Sequence, residues 1–109
     1  MSFQHKNLAA GHWNELSFFE QMANIGSEIE RTVKWKIKNA QFSQLAFERA
    51  LELLDLTLSD QKNKKRFREI ARAREAIVDH FFGKNEYAST DESWQKYFFA
   101  FNYAARISR

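Results

Sequence analysis

Apolar residues recur every three or four positions in four segments of this chain, the spacing that places them on one side of an α-helix. The chain has no proline and three glycines, the residues that break or weaken helices. No segment shows the alternation of apolar and polar residues that is typical of a strand. The sequence therefore predicts an all-α protein with helices at about residues 17–39, 40–59, 63–82 and 90–107.

Local signals set the ends of these predicted helices. Ser17 and Glu20 have the spacing of a capping box, and Gly83 is a natural C-terminal stop. Residues 1–15 lack clear periodicity and are predicted to form a short N-terminal arm. The connections are short, which favours antiparallel neighbours. We therefore expect one domain over residues 1–109, an antiparallel up-and-down four-helix bundle with a short N-terminal arm.

Composition narrows the functional classes. Hydrophobic residues make up 44% of the chain and charged residues 28%, which is typical of a globular rather than a disordered protein. The absence of cysteine excludes structural disulfides, thiolate metal sites and cysteine nucleophiles. Di-iron bundles use Glu-x-x-His motifs, and neither His5, His12 nor His80 belongs to one. We therefore expect neither a metal nor a cofactor.

The chain also lacks signals for membrane insertion or export. No apolar run approaches the roughly 20 residues of a membrane span, and the first residues do not resemble a secretory signal. A reducing compartment fits a chain without cysteine. The sequence thus predicts a soluble, cytoplasmic protein without a membrane partner.

Five large apolar residues lie outside the predicted core stripes. They are Trp35, Leu45, Leu56, Phe99 and Tyr103. A monomeric bundle needs only one apolar stripe on each helix, and an exposed apolar patch usually marks an association site. These residues therefore predict an interface, either between copies in a homo-oligomer or with another protein. The alternatives are that the helices pack off-centre or that the N-terminal arm covers this surface.

Trp35 has two other interpretations. It shares a helix face with Glu28, Arg31 and Lys38, so its ring can lie over their aliphatic stems with some cation–π stabilisation. An exposed tryptophan can also stack on nucleic-acid bases. The sequence leaves interface, packing and stacking open at this residue.

Five cations stand close together around the start of the third predicted helix. They are Lys62, Lys64, Lys65, Arg66 and Arg68. The helix dipole disfavours cations at a helix N-terminus, so their placement favours an anionic partner, with nucleic acid as the candidate. The net charge of +3 is too small to indicate such a partner by itself, and a solvated run of charges is the alternative.

Arg74 lies within the apolar stripe of the third predicted helix, between Ile70 and Ile77. A charge in that position has to be paired, or its side chain has to reach the edge of the core. We therefore expect a buried ion pair with a carboxylate of another helix, whose loss would cost about 3–5 kcal/mol. An anion or ligand site inside the bundle or at a dimer interface is the alternative.

Arg74 and His80 also lie on one predicted helix with five residues between them. This spacing resembles the signature of the HEPN family, whose members are helical bundles and in many cases dimeric ribonucleases. The resemblance implies that Arg74 binds or polarises a phosphate and that His80 assists proton transfer. Against it, the two side chains lie roughly 120° apart around the helix, and Glu75 would repel phosphate. Otherwise His80 is an exposed helix-end residue near the C-terminal dipole.

Three strings resemble small prokaryotic helical-bundle proteins to which no activity is attached. They are His12–Leu16, Met22–Glu28 and Tyr97–Phe101. This resemblance implies a free-standing helical protein and no particular chemistry. Since no catalytic motif stands out, the sequence favours a non-enzymatic, self-associating interaction protein, accessory to a nucleic-acid-handling assembly. The alternative is a HEPN-like ribonuclease, or an inactive relative, that uses Arg74 and His80.

Overall fold

The computed structural model describes residues 6–107, with side chains from residue 11 onward, and this range is helical without strands. Its elements are α1 (Lys6–Glu15), α2 (Phe18–Trp35), α3 (Ala40–Ser59), a 3₁₀ helix (Gln61–Arg66), α4 (Phe67–Phe82) and α5 (Asp91–Ile107). The predicted all-α class is confirmed. The four predicted helices correspond to α2, α3, α4 and α5, with some ends shifted.

The predicted N-terminal arm is wrong for residues 6–15, because these residues form α1. Residues 1–5, which include His5, lie outside the described range. α1 packs against α3 and is anchored by the buried Trp13, whose indole Nε1 donates to Thr57 Oγ1 at 2.9 Å. Among residues 11–15, the part of α1 whose side chains are described, Trp13 is the one large apolar residue, and one residue gives no periodic pattern from which to predict a helix.

Capping side chains explain where α2 and α3 begin. The Ser17 hydroxyl accepts from the backbone N–H of Glu20 at 3.1 Å, and the Glu20 carboxylate accepts from the backbone N–H of Ser17 at 2.9 Å. The predicted capping box is therefore confirmed. Asn39, predicted to be the last residue of the preceding helix, is instead the N-cap of α3: its Oδ1 accepts from the backbone N–H groups of Gln41 and Phe42.

The start of α4 also differs from the prediction. Gln61–Arg66 forms a 3₁₀ helix capped by Asp60, whose side chain accepts from the backbone N–H of Lys62. The α-helix begins only at Phe67, and it ends at Gly83 as predicted. Four of the five clustered cations therefore lie in a separate turn before α4 rather than in its first turn.

α2 packs against both α3 and α5, and α4 packs against α3. The α2 contacts are antiparallel. Ser43, near the start of α3, donates to the carbonyl of Thr32, near the end of α2, at 2.7 Å. Phe18, at the start of α2, meets Phe101, near the end of α5, with ring centroids 5.6 Å apart. Both neighbours of α2 therefore run in the direction opposite to it.

α2 and α5 approach each other very closely at Gly26. A Cβ atom placed on this glycine would lie 2.6 Å from the Cβ of Phe98, well inside van der Waals contact. No larger residue fits at this crossing unless α5 moves away. The closeness of the two backbones brings the inner side of α5 into the core, where Trp94 and Phe98 are buried.

A polar network is buried where α1, α2, α3 and the 3₁₀ helix meet. Gln21 Nε2 donates to the Trp13 carbonyl at 2.9 Å and to Asp60 Oδ2 at 2.8 Å, while Gln21 Oε1 accepts from Asn63 Nδ2 at 2.8 Å. Asn63 Nδ2 also donates to the Thr57 carbonyl at 3.0 Å. We call these five residues the Gln21 network. Buried polar groups need such partners, so the network holds α1 in place.

Candidate interaction surfaces

The outer side of α5 carries three exposed apolar side chains. Phe99, Tyr103 and Ile107 are 66%, 59% and 65% exposed. Residues four apart lie on the same face of a helix, so the three form a continuous apolar stripe, which we call the α5 outer face. The predicted position of Phe99 and Tyr103 outside the core is confirmed, and Ile107 extends the surface by one turn.

A second apolar surface lies where α2 meets α3. Trp35 is half-buried and packs edge-on against Phe42, with ring centroids 5.6 Å apart. Leu45 is 50% exposed beside them. The groove that they line, which we call the α2–α3 groove, has a volume of about 200 Å³. Its charged lining consists of Glu28, Arg31 and Arg49.

Charge and aromatic contacts settle how Trp35 is held. The Lys34 ammonium lies 5.4 Å from its ring centroid, within cation–π range. Arg31 and Arg49 instead pair with Glu28, at 3.1 and 3.6 Å. Trp35 is therefore supported by Phe42 and Lys34, while the two arginines share one carboxylate and leave the groove with a positive excess.

Leu56 belongs to neither surface. Its side chain is 6% exposed and lies in the same buried cluster as Trp13. The predicted interface role of Leu56 is wrong, because α1 packs against α3 and the core closes over this residue. Leu45 lies about 16 Å away, toward the start of the same helix, and its side chain is exposed.

The five clustered cations are not equivalent. The Lys62 ammonium pairs with Asp60 and donates to the carbonyl of Asn14 at 3.1 Å. The Arg66 guanidinium lies 4.3 Å from the centroid of the Phe18 ring. Both side chains therefore hold parts of the fold together. All five are exposed, and the other three form no such contact in the described chain: Lys64, Lys65 and Arg68.

Arg72 adds one more exposed cation, one helical turn after Arg68. We call Lys64, Lys65, Arg68 and Arg72 the basic edge. In the described part of the chain, none of the four forms an ion pair with a carboxylate. Arg68 and Arg72 are one turn apart on α4 and lie about 5–6 Å from each other, while Lys64 and Lys65 lie in the 3₁₀ helix just before α4, so positive charge without a carboxylate partner collects around the start of α4.

A groove of about 530 Å³ lies between α4 and α5, next to the basic edge. Its apolar lining consists of Ala73, Ala76, Trp94 and Tyr97, and its charged lining of Arg68, Glu69 and Arg72. Burial, followed by the charge and hydrogen bond of Glu69, raises the pKa of Tyr97 to about 12. The phenol is therefore neutral at neutral pH. We call this cavity the α4–α5 groove.

Trp94 forms one wall of the α4–α5 groove and is 8% exposed. Its indole Nε1 is buried and has no hydrogen-bond acceptor among the residues that the structure describes. A buried donor without an acceptor costs about 1–3 kcal/mol. The groove therefore has an aromatic wall beside exposed cations.

Arg74 forms the ion pair with another helix that the sequence predicts, but at the surface. Its Nε donates to Asp55 Oδ1 of α3 at 2.8 Å. The Arg74 side chain is 34% exposed and that of Asp55 is 58% exposed, so the predicted burial is wrong. The long arginine side chain reaches the edge of the core, where water shares the charge. The predicted cost of 3–5 kcal/mol does not apply to such a pair.

His80 is held on a different side of α4. Its Nε2 lies 2.7 Å from Asp91 Oδ1, and the Lys36 ammonium lies 3.2 Å from the same carboxylate. His80 is thus a largely buried contact residue rather than the exposed helix-end residue expected. Arg74 points to a carboxylate of α3 and His80 to one of α5, so the two do not share a partner within the described chain.

Neither a metal site nor a membrane-spanning helix is found among the described residues. No three His, Asp or Glu side chains there are placed to hold a metal ion. None of the described helices combines the length and apolar character needed to cross a bilayer. Comparison with protein-family models, curated protein sequences and solved structures finds no match for this chain. Function has to be inferred from the surfaces themselves.

Four residues of these surfaces were missed by the sequence interpretation: Phe42, Arg72, Tyr97 and Ile107. Two of them carried a usable signal, because Ile107 follows Tyr103 and Arg72 follows Arg68 at the same four-residue spacing. Tyr97 reads as a core residue in sequence, since its place beside an open groove depends on the distance between α4 and α5. Phe42 lies in the first turn of α3, and its side chain is 52% exposed.

Proposed function

We propose that this chain is a non-enzymatic interaction protein that self-associates through the α5 outer face. Its scaffold would be an antiparallel up-and-down four-helix bundle of α2 to α5. That arrangement is supported by the antiparallel contacts of α2 and by two ion pairs of α4. One joins Arg74 to Asp55 of α3, and the other joins His80 to Asp91 of α5.

The observation that carries the proposal is that α5 has two apolar sides. A helix in a bundle needs one, and α5 uses its inner side in the core. Burying one large apolar side chain stabilises a complex by about 1.5–3 kcal/mol, and the α5 outer face offers three on each copy. Symmetric dimers bury the same patch on both subunits. We therefore expect α5 of one copy to pack against α5 of a second copy.

The α2–α3 groove would serve a separate protein partner. Trp35 and Leu45 present apolar surface there, and tryptophan is enriched at binding hot spots. Two arginines share one glutamate at its rim, so an acidic partner is favoured over a second copy of this basic chain. This surface is distinct from the α5 outer face, and the two interfaces can be tested one at a time.

The basic edge supports the remaining part of the proposal, a role accessory to a nucleic-acid-handling assembly. Its four cations have no carboxylate partner in the described chain. Contacts between lysine or arginine and phosphates give affinity that falls steeply with salt. Sequence-specific reading of a duplex is not expected, because such reading needs a helix or ribbon that places side chains in a groove of the duplex.

Size-exclusion chromatography with light scattering tests self-association. We expect the wild type to be a dimer or larger oligomer at micromolar concentration. The double variant Phe99→Ser/Tyr103→Ser should release monomers that keep their helical circular dichroism, because both side chains lie outside the core.

The matched control is Phe42→Ser/Leu45→Ser, which removes two similarly exposed apolar residues from the α2–α3 groove. This variant should remain associated. A wild type that stays monomeric at high micromolar concentration would refute the proposal. Equal dissociation of both variants would show that the α5 outer face is not the interface.

A further inference from the structure

The α4–α5 groove and the basic edge are adjacent, and their chemistry is complementary. Arg68 and Arg72 belong to both, since they line the groove, and Lys64 and Lys65 are exposed in the 3₁₀ helix that precedes α4. On one side of these arginines lies an apolar and aromatic cavity, and on the other lies solvent. A ligand that fits both would carry a planar or apolar body next to a negative charge.

The charges that face the groove favour an anion. Arg68 and Arg72 are exposed and unpaired among the described residues. The one carboxylate in the lining, Glu69, is 3.9 Å from the Arg66 guanidinium and interacts with the Tyr97 phenol. Its charge is therefore partly countered, and the neutral phenol adds none. Guanidinium groups are well suited to phosphate, which they bind through paired N–H donors.

The number of cations in the basic edge favours a strand over a single nucleotide. A free mononucleotide would occupy the groove and the two arginines, and it would leave Lys64 and Lys65 unused. A strand that continues past the groove would place further phosphates along these lysines. Proteins that bind single strands combine such a group of cations with an aromatic surface for bases. A duplex keeps its bases stacked inside and has none to place in a cavity.

We propose that single-stranded nucleic acid binds along the basic edge and inserts one unpaired base into the α4–α5 groove, between the Tyr97 and Trp94 side and the two alanines of α4. Arg68 and Arg72 hold the phosphates on either side of that base, and Lys64 and Lys65 contact the continuing strand. This inference rests on the nucleic-acid part of the proposed function. It specifies a single strand and the place where it binds, and it assigns base stacking to Tyr97 instead of Trp35.

Fluorescence anisotropy with a labelled oligothymidylate, and with a duplex of equal length, tests the proposal at about 50 and 200 mM salt. We expect the single strand to bind more tightly than the duplex. In Arg68→Ala/Arg72→Ala, the log–log salt slope should fall by about 1.4, since each single-strand phosphate contact contributes roughly 0.7. The matched control is Lys38→Ala/Lys84→Ala, which removes two exposed charges outside the basic edge, one between α2 and α3 and one just after α4, and should change the slope little.

Two groove variants test the base contact independently of charge. Tyr97→Leu removes the ring, and Ala76→Leu fills the cavity while the ring stays. Each should weaken single-strand binding about tenfold, a typical effect of losing one stacked base, with the salt slope unchanged. Thermal melts establish that both variants are folded, and since they alter the site in opposite ways, one folded variant is enough for the test.

Different outcomes overturn different parts. If no nucleic acid binds at low salt, both this inference and the nucleic-acid part of the proposed function fail. If duplex and single strand bind equally, and both groove variants behave as wild type, the base site fails while nonspecific phosphate binding stands. If thymidine monophosphate binds as tightly as the oligonucleotide, or polyglutamate competes equally, a strand is not the ligand and the inference is overturned.

Discussion

Asp60 and Asp91 connect helices at opposite ends of α2, and they are held in contrasting ways. Asp60 is 6% exposed and accepts from Gln21 at 2.8 Å. Asp91 is about a third exposed and contacts His80 and Lys36. Asp60 therefore belongs to a buried network, whereas Asp91 is shared with water.

These surroundings lower the pKa of both carboxylates. Burial raises the pKa of Asp60, but hydrogen bonds from Lys62 and Gln21 outweigh it and leave the pKa below its usual value of 3.8. Burial also raises the pKa of Asp91, and hydrogen bonds from His80 and Lys36 again leave the pKa lowered. The direction of the pKa shift is therefore the same at both ends of α2. The two ends differ in the further contacts made by the residues that bind each aspartate.

At the Asp60 end, the partners continue into further buried groups, since Gln21 also binds Trp13 and Asn63. At the Asp91 end, no further hydrogen bond follows, because Lys36 is exposed and His80 Nδ1 is buried without a partner in the described chain; in the Gln21 network, Asn63 Oδ1 is also without one, but the other groups are joined. A polar group in a buried network is costly to remove, because several desolvated groups lose their partners at once. We therefore expect the Asp60 end to control stability and the Asp91 end to contribute less.

The largest effect is expected for Gln21→Leu. Leucine fills similar space but removes the three buried hydrogen bonds of the Gln21 side chain, to the Trp13 carbonyl, Asp60 and Asn63. A buried hydrogen bond contributes about 1 kcal/mol, and one to a charged group contributes more, so the free energy of unfolding should fall by about 3 kcal/mol. Urea unfolding measures this. Gln95→Leu is the matched control, since Gln95 makes only an exposed 3.4 Å contact with Glu30. Equal effects in the two variants would refute the comparison.

The second prediction compares Asp60→Asn with Asp91→Asn. Asparagine keeps the shape but loses the charge and presents an N–H₂ group to donors. We expect a loss of about 2 kcal/mol at Asp60, where charge-assisted hydrogen bonds are buried, and of about 1 kcal/mol or less at Asp91. Chemical denaturation at neutral pH measures both. If Asp91→Asn is the more costly change, solvent sharing does not weaken that end.

Acid should remove the contribution of both carboxylates. Because the folded-state pKa of each lies below 3.8, its stabilisation is present above that pH and is lost as the pH falls through the folded-state value. Melting temperature should therefore decline below about pH 4. The decline should be shallower in Asp60→Asn and, to a smaller extent, in Asp91→Asn. Variant profiles parallel to the wild type would show that other carboxylates dominate.

The smallest effect is expected for Arg74→Ala, which removes an ion pair at the surface. About a third of the Arg74 side chain and more than half of the Asp55 side chain are exposed, and pairs shared with water contribute about 0.2–1 kcal/mol. The unfolding free energy should change by no more than that. A loss of about 3 kcal/mol, the value for a buried pair, would mean that this surface pair behaves like the Gln21 network.

The helical elements were largely predictable because their signals are local. Apolar spacing located α2 to α5, and the Ser17 and Glu20 pair marked the start of α2, since each signal spans a few residues of one helix. The spacing of Phe99 and Tyr103 likewise placed both residues outside the core. What those exposed surfaces bind was not predictable, because exposure shows where a partner fits and not which partner it is.

The sequence by itself determined the helical class, the approximate helix ends and the apolar stripe on the outside of α5. Only the tertiary structure decided that residues 6–15 form a docked helix, that Leu56 is buried and that Arg74 reaches the surface. It also divided the basic cluster into Lys62 and Arg66, which hold the fold, and three cations that form no such contact in the described chain. The physical reason is that these outcomes depend on contacts between residues far apart in the chain. The bond from Trp13 to Thr57 spans 44 residues, and no local pattern records it.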